Sequence, residues 1–181
     1  MPHVDTPSSI CRFGIARCDI TPPVGIYHRM WGAALHDRAT GVHRPLLATA
    51  LWLEPADGGD RQLVLGLDHC ILDRAEMDRI RNQVAGATPL APGQVHVALS
   101  HTHGSAWMSR SRAHLPGGEL IGPYLDRLAE TCAGLAARAG EAVRPAAWVC
   151  ENATTTCSGA TPDAAHTAAS SWPISGAHSR Q

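Results

Sequence analysis

The stretch Ser100-His101-Thr102-His103-Gly104 holds two histidines at i and i+2, directly after the alternating run QVHVALS. If the extended geometry continues, both rings project to the same side and face one point. Neutral imidazole is a good zinc ligand, and catalytic zinc sites usually take three protein ligands and leave a position for water. Gly104 lets the chain turn away and leaves the pair at a strand rim. The same spacing also suits two solvated loop histidines. Asp68-His69, at the end of the run QLVLGL, is the second candidate. A carboxylate there can orient a ligand histidine through its other ring nitrogen, with zinc as the implied metal; the alternative is a turn aspartate capping the next segment. His28, His36 and His43 have no fixed spacing and read as solvent-facing or as lining a cleft, while His96 alternates with Val95 and Val97 on the less buried strand face. Ser105 and Ser109 lack a GxSxG elbow, and a serine nucleophile needs a partner base and an oxyanion site. Arg110 and Arg112, beside His114, suit either an anionic substrate or a solvated loop.

Composition removes other chemistries. The chain contains no lysine, so all 15 of its basic residues are arginine. Schiff-base enzymes and a Walker A loop are thereby excluded. A formal net charge of −1 offers no basic field for nucleic acid. The 6 cysteines show no CxxC pair and are too sparse for a disulfide scaffold. The first residues lack a cationic start followed by an apolar run, and no apolar stretch approaches the ~18 residues of a membrane helix. A cytoplasmic chain with reduced thiols, no signal peptide and no transmembrane segment is the expectation.

The candidate residues need a scaffold, and the patterning supplies one. RFGIARCDI (12–20) reads as a strand stopped by Thr21-Pro22-Pro23-Val24-Gly25, where proline fixes φ and glycine tolerates a positive φ. LLATALWL (46–53) and QLVLGL (62–67) are apolar runs of strand length, joined by a turn-rich loop as a hairpin. Asp73 with Glu76 predicts a capping box opening a helix along Met77, Ile80 and Val84, ended by Gly86 and Pro89. A strand at 94–100 comes next, then a loop through about Gly118. The stripe Ile121, Leu125, Leu128, Cys132 and Leu135 predicts a second helix, bounded by Gly140 and Pro145. The fold class is α/β, with α+β possible: a mixed sheet flanked by helices. From Ala146 onward the chain is rich in alanine, threonine and serine, and only Glu151, Asp163 and Arg180 are charged. Such a segment buries little apolar surface and predicts disorder, leaving about 145 globular residues.

The opening Gly14-Ile15-Ala16-Arg17-Cys18-Asp19-Ile20-Thr21-Pro22-Pro23-Val24-Gly25 resembles that of the neutral/alkaline non-lysosomal ceramidase family. The order of later pieces matches as well: His43-Arg44-Pro45-Leu46 leads into an apolar strand, QLVLGLD supplies the next, and another strand ends in SHTHG. The family's segment typically reads His-Thr-His-Ser-Gly or a close variant. The resemblance covers roughly residues 12–145. It implies a zinc amidohydrolase that cleaves the N-acyl amide of ceramide-like lipids to sphingosine and a fatty acid. It further implies that His101 is a zinc ligand and that His103 lies beside the metal, stabilising the reacting oxyanion or moving a proton. The family completes its zinc site with another histidine, a glutamate and a tyrosine far downstream, beyond Gln181.

By that resemblance, residues 1–150 are the N-terminal portion of a larger catalytic domain and 151–181 a low-complexity tail. The family usually continues after Pro145 with a strand and a Gly/Arg-rich loop, so a frameshift or premature stop is one expectation. Three functions remain open from the sequence: a ceramidase-type metal hydrolase, a non-catalytic remnant that keeps the fold and a weak metal site, and a different metal-dependent hydrolase. Metallo-β-lactamase-like enzymes expect an aspartate where Ser105 stands, and a barrel enzyme would place the two histidines on its first strand. Substrate and oligomeric state are left open.

Overall fold

The structure, a computed structural model, describes residues 8–149 except for 31 and 33. Seven strands and two helices run in the order β1 (Ser8–Asp19), β2 (Leu47–Pro55), β3 (Gln62–Leu67), β4 (Ile71–Leu72), α1 (Arg74–Ala87), β5 (Val95–Leu99), β6 (Trp107–Met108), α2 (Ile121–Glu141) and β7 (Arg144–Val149). The main sheet has the order β5-β3-β2-β1-β7, and β4 with β6 forms a separate pair. Neighbours are antiparallel except β3–β5 and β4–β6, which are parallel. The mixed sheet flanked by helices is therefore the observed fold class, and the expected hairpin is β2–β3. Parallel strands need a crossover, and α1 lies within the one between β3 and β5.

One sheet face packs on α2. Ala48, Ala50 and Trp52 of β2 and Leu63, Leu65 and Leu67 of β3 alternate into it, and Ile121, Leu125, Leu128, Cys132 and Leu135 of α2 are all buried. The helix comes very close because β1 presents no side chain at Gly14. A Cβ there would collide with the Ala139 carbonyl oxygen. The opposite sheet face carries Ile15, which is exposed, in register with the half-buried Leu51 and Val64.

Three local expectations are corrected. The helix at 74–87 does start after Asp73, but no side-chain cap bond forms. The Asp73 carboxylate instead accepts the Trp107 indole N–H at 2.9 Å, and Glu76 accepts from Arg110 at 2.7 Å. Both partners come from a segment distant in sequence, and a charge-assisted bond outcompetes a local one. The helix also runs one residue past Gly86, and Thr88 closes it by donating its hydroxyl to the Val84 carbonyl at 2.8 Å. Finally, residues 144–149 form a strand although their composition predicts none, because β1 offers a full row of backbone partners from Ser8↔Val149 to Phe13↔Arg144. The expected tail, 151–181, lies outside the described residues.

Two glycines of opposite character test the packing. Gly14→Ala should destabilise the fold by about 1–3 kcal/mol, the usual cost of overpacking, since strand and helix backbones must separate. Gly134→Ala, in the middle of α2 with open space around the added methyl, should stabilise it by about 0.5–1 kcal/mol. Urea unfolding midpoints of the two variants should move in opposite directions; a shared sign would refute the helix-on-strand contact.

Candidate metal centre

Leu67 pairs with Leu99 at the C-terminal end of the parallel β3–β5 pair, and Ser100 N–H donates to the Leu67 carbonyl at 3.0 Å. Further on, Ile71 pairs with Trp107 and Leu72 with Met108, again in parallel. Residues 68–70 and 100–106 thus bridge the same gap between two fixed ends. The shorter bridge is taut. His69 N–H turns back onto the Leu67 carbonyl at 2.8 Å, a γ-turn centred on Asp68, and His69 and Cys70 are both buried. The longer bridge has slack, which is displaced outward, so His101 and His103 are exposed.

The two imidazoles do converge, though not through strand parity. β5 ends at Leu99, and His101 has φ +55°, the left-handed region, alone among the described non-glycine residues. The turn itself falls at His103-Gly104, as expected of the glycine, although Gly104 does not use a positive φ. Thr102 stabilises this turn: its hydroxyl accepts the Gly104 N–H at 3.2 Å and its carbonyl the Ser105 N–H at 3.3 Å. The His101 and His103 ring centroids lie 5.6 Å apart, edge to face.

Beneath them sits Cys70, which sequence reasoning missed. Its Sγ is 3.9 Å from both ring nitrogens of His101, and ligand atoms of Cys70, His101 and His103 all lie within 4.8 Å of one another. A tetrahedral zinc with nitrogen and sulfur ligands separates its donors by about 3.5 Å, so small side-chain rotations suffice for this set to hold a metal. Burial raises the Cys70 thiol pKa. The signal available in the sequence was an apolar strand ending in Asp-His-Cys beside a second ending in His-Thr-His, but it has meaning only once the strands are known to be parallel neighbours.

Asp68 is not part of that cluster. Its Oδ2 accepts the Leu47 N–H at 2.9 Å while its own N–H donates to the Leu47 carbonyl at 2.9 Å, which ties the end of β3 to the start of β2. Ser105, with no exposed surface, lies 2.9 Å from His69 Nδ1, and His69 Nε2 lies 2.6 Å from the Tyr124 hydroxyl. Tyr124 donates to the Ile20 carbonyl at 2.8 Å. Its only proton is thereby used, so His69 Nε2–H is the donor to Tyr124, while the Ser105 hydroxyl lies between Nδ1 and the Ala106 carbonyl, the latter at 3.4 Å. Desolvation lowers the His69 pKa to about 4, against the opposing charge of Asp68, so the ring is neutral at pH 7.

The other candidates fall into structural roles or stay at the surface. His28 brings Nε2 to 3.2 Å from the Gly104 carbonyl, so it reaches the rim of the centre, whereas His36 and His43 are exposed. His96 is exposed and meets Gln62 at 2.9 Å. Arg110 pairs with Glu76 and with Asp126 at 2.6 Å. Arg112 stacks on Tyr27 at 5.1 Å and Trp107 at 4.9 Å, and His114 meets the Ser111 carbonyl at 3.0 Å. Ser109 is engaged with Ser111 at 2.7 Å.

This arrangement of strands and helices is similar to that of two solved proteins. A neutral ceramidase from Pseudomonas aeruginosa superposes with a TM-score of 0.61 at 20% identity, over 78% of this chain and 23% of the ceramidase. A ceramidase complexed with C2 gives 0.54 at 20% identity, over 78% of this chain and 22% of that one. The fold is that of a part of neutral ceramidase, and the chain spans under a quarter of the length of either. No family model matches the sequence, and no curated protein sequence does. No helix among the described residues is long and apolar enough to cross a membrane.

The neutral His69 makes stability depend on pH. Between its ordinary pKa of 6.5 and about 4, the unfolded chain takes up a proton that the folded chain refuses. Stability should therefore fall as pH drops through that window, by roughly 3 kcal/mol in total from this ring. Urea unfolding from pH 7 to pH 4 should show the loss, with a flatter dependence in His69→Gln. Equal slopes in parent and variant would show that the ring carries no such linkage.

Proposed function

We propose that the chain carries part of the catalytic centre of a zinc-dependent amide hydrolase, acting on the N-acyl amide of a ceramide-like lipid. Residues 8–149 would then be a portion of a larger ceramidase-type catalytic domain. The observation that carries the reading is the convergence of His101 and His103 at the C-terminal edge of parallel strands, on a ceramidase-like fold. His101 is assigned as metal ligand. His103, edge-on to it, is placed beside the metal, where it hydrogen-bonds the oxygen on which charge develops or moves a proton. Asp68 acts at one remove, by holding the end of β3 from which the buried bridge departs. A bound zinc supplies a water of lowered pKa and polarises the amide carbonyl. A cytoplasmic setting is part of this reading. The second reading is a chain that binds metal and turns nothing over.

Zinc content and hydrolysis of a short-chain N-acyl sphingosine, measured on the same preparation, separate these readings. His101→Ala should lose both bound zinc and activity, and His103→Ala should lower turnover by about 10²-fold or more. A zinc-loaded parent chain that leaves the amide intact would overturn the catalytic reading and leave the second.

A further inference from the structure

We infer that Cys70 is a thiolate ligand of the metal held by His101, so that this centre selects a borderline or soft divalent ion. The inference rests on the metal reading above and extends it to a residue that motif and spacing left unassigned. His69 spends its side chain on Ser105 and Tyr124, whereas the next residue, Cys70, brings Sγ to 3.9 Å from His101. The backbone on both flanks is fixed, by the γ-turn at 67–69 and by β4. The Cys70 backbone is thereby held beneath the two imidazoles.

An ordinary buried cysteine behaves as a small hydrophobe among carbon atoms. Cys70 is 1% exposed, yet it has both nitrogens of one imidazole at 3.9 Å and a second imidazole within the same 4.8 Å cluster. Equal distances to Nδ1 and Nε2 mean that rotation of the His101 ring decides which nitrogen turns toward a shared ion. The donors form a gradient of burial, with sulfur beneath and imidazoles at the surface, so an ion would be reached from the histidine side. Sulfur with imidazole nitrogen suits zinc and cobalt, whereas magnesium and calcium take oxygen ligands.

Cobalt(II) replaces zinc as a spectroscopic probe. Added to the purified chain, it should produce visible d–d absorption of a low-coordinate site together with a near-ultraviolet thiolate-to-cobalt charge-transfer band. Cys70→Ser, nearly isosteric, should lose the charge-transfer band and weaken zinc by more than the roughly 10–100-fold typical of losing a residue that only supports a ligand. Circular dichroism of Cys70→Ser should match the parent, and Cys70→Ala serves as a second variant should serine pack badly. A tenfold excess of magnesium should not displace the cobalt. Cobalt bound without the charge-transfer band, and equally well in both variants, would overturn the role of Cys70 while leaving the metal reading intact. A parent chain that binds neither cobalt nor zinc would overturn both.

Discussion

Two parallel pairings of unequal neighbours govern the centre. Leu67 stands beside Leu99 at one end and Ile71 beside Trp107 at the other, so two bridges of different length must cross one gap. The short bridge has no slack and is drawn into the interior. The long one must leave the plane, and it does so at His101, in a left-handed conformation that costs a residue with a Cβ roughly 1–2 kcal/mol. Buried sulfur and exposed nitrogens result from this difference in length alone. An antiparallel pair could be closed by a two-residue turn and would leave no such gap.

That strained turn is held by a chain of buried polar contacts. Ser105 to His69, His69 to Tyr124 and Tyr124 to the Ile20 carbonyl join the long bridge, the short bridge, α2 and the end of β1. Each member has its donors and acceptors satisfied, and among the described residues no buried side-chain polar atom lacks a partner. In a low-dielectric interior such a network is worth keeping only when it is complete. The ring of His69 stays neutral here because burial penalises its charged form. A second clamp lies outside the core. Arg112, between the rings of Tyr27 and Trp107, fastens the segment after the long bridge to the turn at Gly25, whose neighbour Tyr27 donates its N–H to the Gly117 carbonyl at 3.0 Å.

Elements that bury a regular face were legible in the amino-acid order. QLVLGL is β3 residue for residue, and all five apolar positions of the 121–135 stripe face the core of α2. Features decided by partners distant in sequence were not. Glu76 has the spacing of a capping residue, but Arg110, 34 positions away, takes it. β7 has no apolar alternation to betray it, being ordered by β1's free edge. Cys70 had no visible role because no spacing rule connects a residue after one strand to two after another; only the parallel register does so. The convergence of His101 and His103 was anticipated on the wrong ground, since strand parity ends at Leu99 and the positive φ at His101 redirects the chain.

The polarity of the centre also bears on how a substrate would approach it. The imidazoles open to solvent, and the loop that reaches them through the His28–Gly104 contact carries Val24, Leu35 and Val42, each more than half exposed. Trp107, just after the long bridge, is itself 37% exposed. Large apolar side chains are left in water singly without consequence, and these are spread over the segment between β1 and β2 and the start of β6. The centre is thus bounded by exposed imidazoles on one side and by the buried Cys70 and His69 on the other.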